Sequence, residues 1–67
     1  MISYDKLFKL LIDKKLNKTQ FALLCGISTA TLSKLSKGET ITTETINKIC
    51  KGLDCNVDDI MEYKEKQ

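Results

Sequence analysis

Histidine, arginine and proline are absent from this chain, and glycine and cysteine occur only three times each. Without histidine, the commonest general base and a frequent zinc ligand are missing. No glycine-rich phosphate loop is present, and no candidate nucleophile stands beside an obvious base. An odd set of cysteines (Cys25, Cys50, Cys55) argues against a closed disulfide framework, and Cys50 and Cys55 have neither zinc-site spacing nor a second ligand pair. All three are read as buried and inert. No apolar run approaches the ~18 residues of a membrane span, and no leader segment is recognisable. These absences predict a non-enzyme without metal or cofactor, reduced, cytoplasmic and not associated with a membrane. The scarcity of glycine and proline, with no long strand alternation, low-complexity segment or repeat, favours an all-α fold. A chain of 67 residues makes one small domain, spanning 1–67. Such a domain buries only about 60% of its unfolded surface, so helix packing must hold it.

What the chain does contain is a repeated code for helix starts. A hydrophobic staple sets one apolar residue just before the N-cap and another five residues on. That register occurs at Ile2-Ser3 with Leu7, Leu16-Asn17 with Phe21, Ile27-Ser28 with Leu32, Ile41-Thr42 with Ile46, and Cys55-Asn56 with Ile60. Each cap is Ser, Asn or Thr, whose side-chain oxygen can accept a first-turn amide. Asn17 also has Gln20 at the capping-box position. Lys14 and Lys15 suit the negative pole of the first helix, while Gly26 and Gly38 supply left-handed residues that stop the second and third. The pattern predicts five helices, near 4–15, 18–25, 29–37, 43–53 and 57–63.

Their apolar faces predict the core. Tyr4, Leu7, Phe8 and Leu11 come from the first helix, Phe21, Ala22 and Cys25 from the second, and Leu32 and Leu35 from the third. Ile46, Ile49, Cys50 and Leu53 follow from the fourth, and Val57, Ile60 and Met61 from the fifth. The loop residues Leu16, Ile27 and Ile41 close it. Leu10, Ile12 and Leu23 lie off or at the margin of these faces, as peripheral core or as a partner contact.

Charge divides along the chain. Residues 1–38 hold seven lysines against Asp5 and Asp13, a net of +5, whereas residues 39–67 hold four lysines against seven acids, a net of −3. The basic part contains NKTQFALLCGISTATLSKLSKG, residues 17–38. The spacing of Ala22, Gly26, Ile27-Ser28, Leu32 and Leu35 describes two short helices crossing steeply over a tight turn. A small residue sits at the crossing, and the turn residue tolerates positive φ. This is the pattern of a helix-turn-helix, whose second helix enters the DNA major groove. A basic surface on the same segment is what a polyanion requires.

These residues resemble the Cro/C1-type, or XRE-like, helix-turn-helix family of phage and bacterial repressors. The resemblance covers nearly the whole chain. Residues 16–38 align without a gap to the family's run of Leu-Thr-Gln-x-x-Leu-Ala, a glycine, Val-Ser and a recognition helix ending in Arg/Lys-Gly. The tail ICKGLDCNVDDIMEY resembles the last two helices of a compact subgroup. The resemblance implies an all-α, five-helix lambda-repressor-like DNA-binding domain with the helix-turn-helix formed by helices 2 and 3. Three departures stand out. The family's Gln at the start of helix 2 is Lys18, which keeps a phosphate contact but cannot both donate and accept. A buried Arg in helix 1 and a Glu late in helix 3, paired in many members, are Leu11 and Ser36, where an apolar contact is expected instead. The lack of arginine removes bidentate guanine readout.

Carried over position by position, Thr29, Ala30 and Lys34 face the bases, with Thr31 or Ser33 at the margin. Phosphates fall to Lys18, Ser28 and Lys37, with Thr40, Thr42 and Thr43 after helix 3, and amides at the starts of helices 2 and 4 add donors. Lys9, Lys14 and Lys15 read as solubility. One reading helix sees too few bases to specify a site, so a homodimer on a pseudo-palindrome is expected, its half-sites ~34 Å apart. Met61 and Tyr63, or Leu10 and Leu23, are candidates for its interface. The expected function is sequence-specific binding of double-stranded DNA by a transcriptional regulator, a repressor, with no small-molecule ligand and nothing after Gln67 to sense one. The alternative is a helical protein-interaction module, such as an antitoxin-like partner, docking through the acidic C-terminal half.

Overall fold

In the computed structural model, which describes residues 1–65, Asn17, Ser28 and Thr42 each stand in extended backbone just ahead of a helix. Each turns an oxygen onto the amide three residues on. Asn17 accepts from Gln20 at 2.7 Å, Ser28 from Thr31 at 3.2 Å and Thr42 from Thr45 at 3.2 Å. Gln20 completes the capping box by accepting from the Asn17 amide at 2.9 Å. These caps start α2 (Lys18–Cys25), α3 (Thr29–Lys37) and α4 (Thr43–Leu53), at the boundaries the caps predict. Ahead of them lie β1 (Ile2–Ser3) and α1 (Asp5–Asp13). Tyr4 rather than Ser3 is the N-cap of α1, because Ser3 belongs to β1; its hydroxyl still accepts from the Asp5 amide at 3.3 Å.

All four helices end by one device. An amide donates back across a left-handed residue to the carbonyl five residues earlier, a bond that satisfies one of the orphan carbonyls of the last turn. The pairs are Leu16 to Leu11, Ile27 to Ala22, Glu39 to Lys34 and Cys55 to Cys50, at 2.9–3.0 Å. Gly26 (φ 67°) and Gly38 (φ 73°) adopt that conformation freely, whereas Lys15 (φ 59°) and Asp54 (φ 52°) do so with a Cβ. Helix α1 therefore stops at Asp13, and Lys14 and Lys15 follow its last turn instead of belonging to it.

The helix expected over 57–63 does not form. Val57–Asp59 makes one 3-10 turn, with the Asp59 carboxylate accepting from the Asn56 amide at 2.9 Å. The chain then extends into β2 (Glu62–Tyr63), antiparallel to β1 with Ile2 opposite Tyr63 and Ser3 opposite Glu62. The Met1 nitrogen and the Lys64 carbonyl, and the Lys64 amide and the Met1 carbonyl, each bond at 2.8 Å. A seven-residue segment gains little from helix nucleation in isolation. Strand pairing satisfies the same backbone groups and ties the two ends of the described chain together. Among the described residues the fold is mostly helical, four α-helices with a small strand pair, rather than five helices.

Among the described residues nine side chains are buried: Tyr4, Leu7, Leu11, Phe21, Cys25, Leu35, Ile49, Leu53 and Ile60. Phe8, Leu10, Leu16, Ile27, Leu32, Ile41, Ile46, Cys50 and Met61 pack half-buried around them, and Ala22 is also half-buried. Val57, expected in the core, is 50% exposed at the start of the 3-10 turn, whereas Ile60, expected with it, is buried. Of the three marginal residues, Leu10 joins the core while Ile12 and Leu23 remain exposed. Gly52 is the residue that packing requires and the pattern did not mark. A Cβ there would lie 2.6 Å from Cys25 Sγ and 3.1 Å from Cys25 Cα, so α4 sits against α2 at a distance only glycine permits. At Gly26 a Cβ would meet nothing within 4 Å, and that glycine acts through its φ alone.

Candidate nucleic-acid interface

Helix α3 is held from one side. Leu35 is buried and Leu32 and Thr31 are half-buried, which by helical periodicity leaves Ala30, Ser33 and Lys37 as the opposite stripe with Thr29 and Lys34 on its flanks. All five of these residues are exposed. The turn that sets α3 against α2 runs from Gly26 to Ser28, with Ile27 half-buried beneath it and Ser28 engaged as the N-cap. The Ser28 and Thr31 hydroxyls also pair, at 3.1 Å, so Thr31 turns its oxygen to the cap.

Beyond α3, the buried Tyr4 donates its hydroxyl to the Glu39 carbonyl at 2.8 Å, pinning the following loop to the start of α1. Burial raises the Tyr4 pKa, so this donor stays protonated under ordinary conditions. That loop and the start of α4 enclose a surface cavity of roughly 290 Å³ lined by Thr31, Lys34, Thr40, Ile41, Thr42 and Thr45. Four residues singled out from the sequence thus meet in one place: Thr31, Lys34, Thr40 and Thr42. Thr45 was missed. Its hydroxyl pairs with that of Thr42 at 3.0 Å, and its place three residues after a Thr cap, like Thr31 after Ser28, was the available signal. Thr43 is exposed at the first position of α4.

Lys18 lies apart from this group. Its ammonium sits 5.5 Å from the Phe8 ring centroid and donates to Ser36 Oγ at 3.4 Å. At the two positions where the family often pairs an Arg with a Glu, Leu11 is buried and Ser36 is exposed and takes the Lys18 ammonium, and both line one surface cleft. Among the described residues the ion pairs join Lys64 to Asp5 and Glu62, so Lys18, Lys34 and Lys37 keep their charge available to an outside anion.

The chemistry for other roles is thin. The cysteines are free thiols, Cys25 buried and the other two half-buried. Burial pushes the Cys25 thiol up, and burial with Cys50 and Asp59 nearby pushes Cys55 up to about 11, away from the reactive thiolate. Among the described residues no group of three or more His, Cys, Asp and Glu could hold a metal ion, and no helix is long and apolar enough to cross a membrane.

A capped helix pair that presents lysine and hydroxyl side chains outward, on a small mostly helical scaffold, has the architecture of a DNA-binding domain. The chain belongs to the Cro/C1-type HTH DNA-binding domain family, matching it over residues 6–66. It is similar to the uncharacterized HTH-type transcriptional regulator YozG of Bacillus subtilis (strain 168), at 35% identity over 60 residues covering 87% of this chain and 71% of that protein. It is also similar to the crystal structure of the transcriptional regulator VanUg, Form II, with a TM-score of 0.87 and 39% identity over 91% of this chain and 81% of the other.

Proposed function

We propose that this chain is a sequence-specific transcriptional regulator of double-stranded DNA, acting as a repressor in the cytoplasm, its residues 1–67 forming one DNA-binding domain without catalytic activity. In this reading α2 and α3 are the helix-turn-helix, and α3 enters the major groove. The observation that carries it is the two-sided character of α3, with Leu35 sealed in the core and Thr29, Ala30 and Lys34 exposed. Lys34 donates to guanine N7 or O6, and Thr29 and Ala30 place methyl groups against thymine, Thr29 adding a hydroxyl. Ser33 and Thr31 lie at the margin; with its oxygen committed to Ser28, Thr31 offers chiefly its methyl. Lys18, Ser28, Lys37, Thr40, Thr42 and Thr43 hold phosphates, and Thr45 joins them through the shared cavity.

One α3 reads too little sequence to mark a genomic site, so the regulator works as a homodimer on a pseudo-palindrome with half-sites ~34 Å apart. Selection of bound duplexes from a random pool, by gel shift at low and moderate salt, tests the reading. It should enrich a palindrome. With Lys18 and Lys37 of each subunit on phosphates, log K against log[salt] should have a slope of about −3.6, about −0.9 per contact. No binding at ~50 mM salt would overturn the proposal in favour of a protein-interaction module.

A further inference from the structure

The end of α1, the start of α2 and the end of α3 enclose a surface cleft of roughly 500 Å³, within the ~300–1,000 Å³ range of small-molecule sites. Its floor is apolar: Phe8, Leu11, Ile12 and Leu16 line it, and Ile12 is left 76% exposed at its edge. The one charged side chain lining it is Lys18, reaching over the Phe8 ring to Ser36. The Asn17 oxygen is already spent on the Gln20 amide. We propose that this cleft binds a small amphipathic organic anion, a carboxylate on an alkyl or aryl body, with the Lys18 ammonium as its charge partner.

Charge and polarity single out this class of ligand. Among the described residues Lys18 forms no ion pair with a carboxylate, and its bond to Ser36 is long, so an incoming anion displaces little. Two of the other concavities fit such a ligand less well, and in the one beside Lys37 and Lys64 the carboxylate of Asp5 already holds Lys64. The one beside Lys6 and Lys9 contains Asp13, Asp58 and Asp59, which repel an anion. The one beside Lys34 is walled largely by threonines and offers little to a hydrocarbon. A neutral apolar molecule would leave the ammonium above the floor without a counter-charge. Resting on the proposed phosphate role of Lys18, the same site gives a control device: a bound carboxylate occupies the ammonium that would otherwise hold DNA.

Octanoate is a suitable probe and 1-octanol its neutral control, each titrated into the isotope-labelled full chain and followed by NMR without DNA. Octanoate should shift Phe8, Ile12, Leu16 and Lys18 saturably, and octanol should bind about five-fold more weakly, the worth of one partly exposed ion pair. Lys18→Gln should weaken octanoate by a similar factor and leave octanol unchanged, its spectrum reporting that the fold persists. Equal binding of both probes, shifts scattered away from the cleft, or no saturation would overturn the site. Concentration-dependent shifts at Phe8 and Ile12 without ligand would overturn it in favour of a second copy seated there. A duplex-binding arm separates the two readings: octanoate that binds the cleft yet leaves the affinity of a selected duplex unmoved overturns the competition, whereas weakened duplex binding supports it.

Discussion

Replacing Gly52 by alanine probes the contact that sets α2 against α4. Within a helix this change ordinarily stabilises by up to ~1 kcal/mol, because alanine restricts the unfolded chain and glycine does not. Here the added methyl would stand 2.6 Å from Cys25 Sγ and 3.1 Å from Cys25 Cα. The sulfur belongs to a side chain only 6% exposed, so it has little room to rotate away, and the Cα moves only with α2 itself. Overpacking of this kind costs about 1–3 kcal/mol. Set against the propensity gain, which is small at the next-to-last residue of α4, the net is a loss of ~1–2 kcal/mol. In a domain of this size that lowers Tm by roughly 4–16 °C. Urea unfolding of four proteins reads it: the wild type, Gly52→Ala, Cys25→Ala and the double variant. Removing the sulfur opens the space the methyl needs, so Gly52→Ala should cost clearly less in the Cys25→Ala background. The reasoning is refuted if Gly52→Ala stabilises the wild type, or if its cost is the same in both backgrounds. Gly26→Ala is the control. It should cost about 1 kcal/mol whatever occupies position 25, since its site is open and only its φ of 67° is at stake.

Three further expectations follow from the interface, the thiols and the strand pair. Lys34→Ala should cost ~1–3 kcal/mol of duplex affinity and relax preference at one base pair, checked by repeating the pool selection with the variant. With its pKa raised to about 11 against an ordinary value near ~8.5, Cys55 holds its proton more tightly folded than unfolded. Its contribution to stability is therefore fully present below pH ~8.5 and is lost as pH rises through about 11. Urea titrations across that range should show a slope that Cys55→Ala reduces, and at pH 8 a thiol reagent should modify Cys55 on the order of 100-fold more slowly in the native than in the unfolded protein. Fast native labelling of all three cysteines would contradict this. The Lys64 ammonium, then the Ser3 hydroxyl, lowers the Asp5 pKa below its ordinary value. Asp5 thus stabilises the fold above the unfolded carboxyl pKa of ~3.9 and ceases to do so as pH falls through its folded value, and Asp5→Asn should remove that acid-side dependence in stability measured between pH 2 and 6.

Three of the four helices begin, and α2 and α3 end, where short-range chemistry says they should. Asn17, Ser28 and Thr42 make their cap bonds to amides three residues on, and Gly26 and Gly38 stop the chain as expected. Interactions spanning so few residues are legible because the partners are fixed by the local backbone. The same logic failed where a local rule was overridden. Lys15 and Asp54 end their helices in a conformation their side chains disfavour, and nothing in either residue announces it. At Asn56 the backbone amide donates to the Asp59 carboxylate, yet the segment after it becomes a 3-10 turn and a strand that pairs with Ile2–Ser3. At the candidate interface, the outward residues of α3 could be read from periodicity. The cavity joining them to Thr45, and the diversion of Lys18 toward Phe8 and Ser36, could not.

The amino-acid sequence alone determined where α2, α3 and α4 lie, which side of α3 is apolar, and that its exposed surface carries lysine and hydroxyl groups. Tertiary structure decided what meets across the chain. It closed β1 on β2, brought Gly52 onto Cys25, tied Tyr4 to Glu39 and opened the cleft under Lys18. The physical reason is reach. A cap or a helical stripe is set by bonds within a turn or two of backbone, whereas strand partners, close helix contacts and clefts exist only once segments distant in the chain have been packed together.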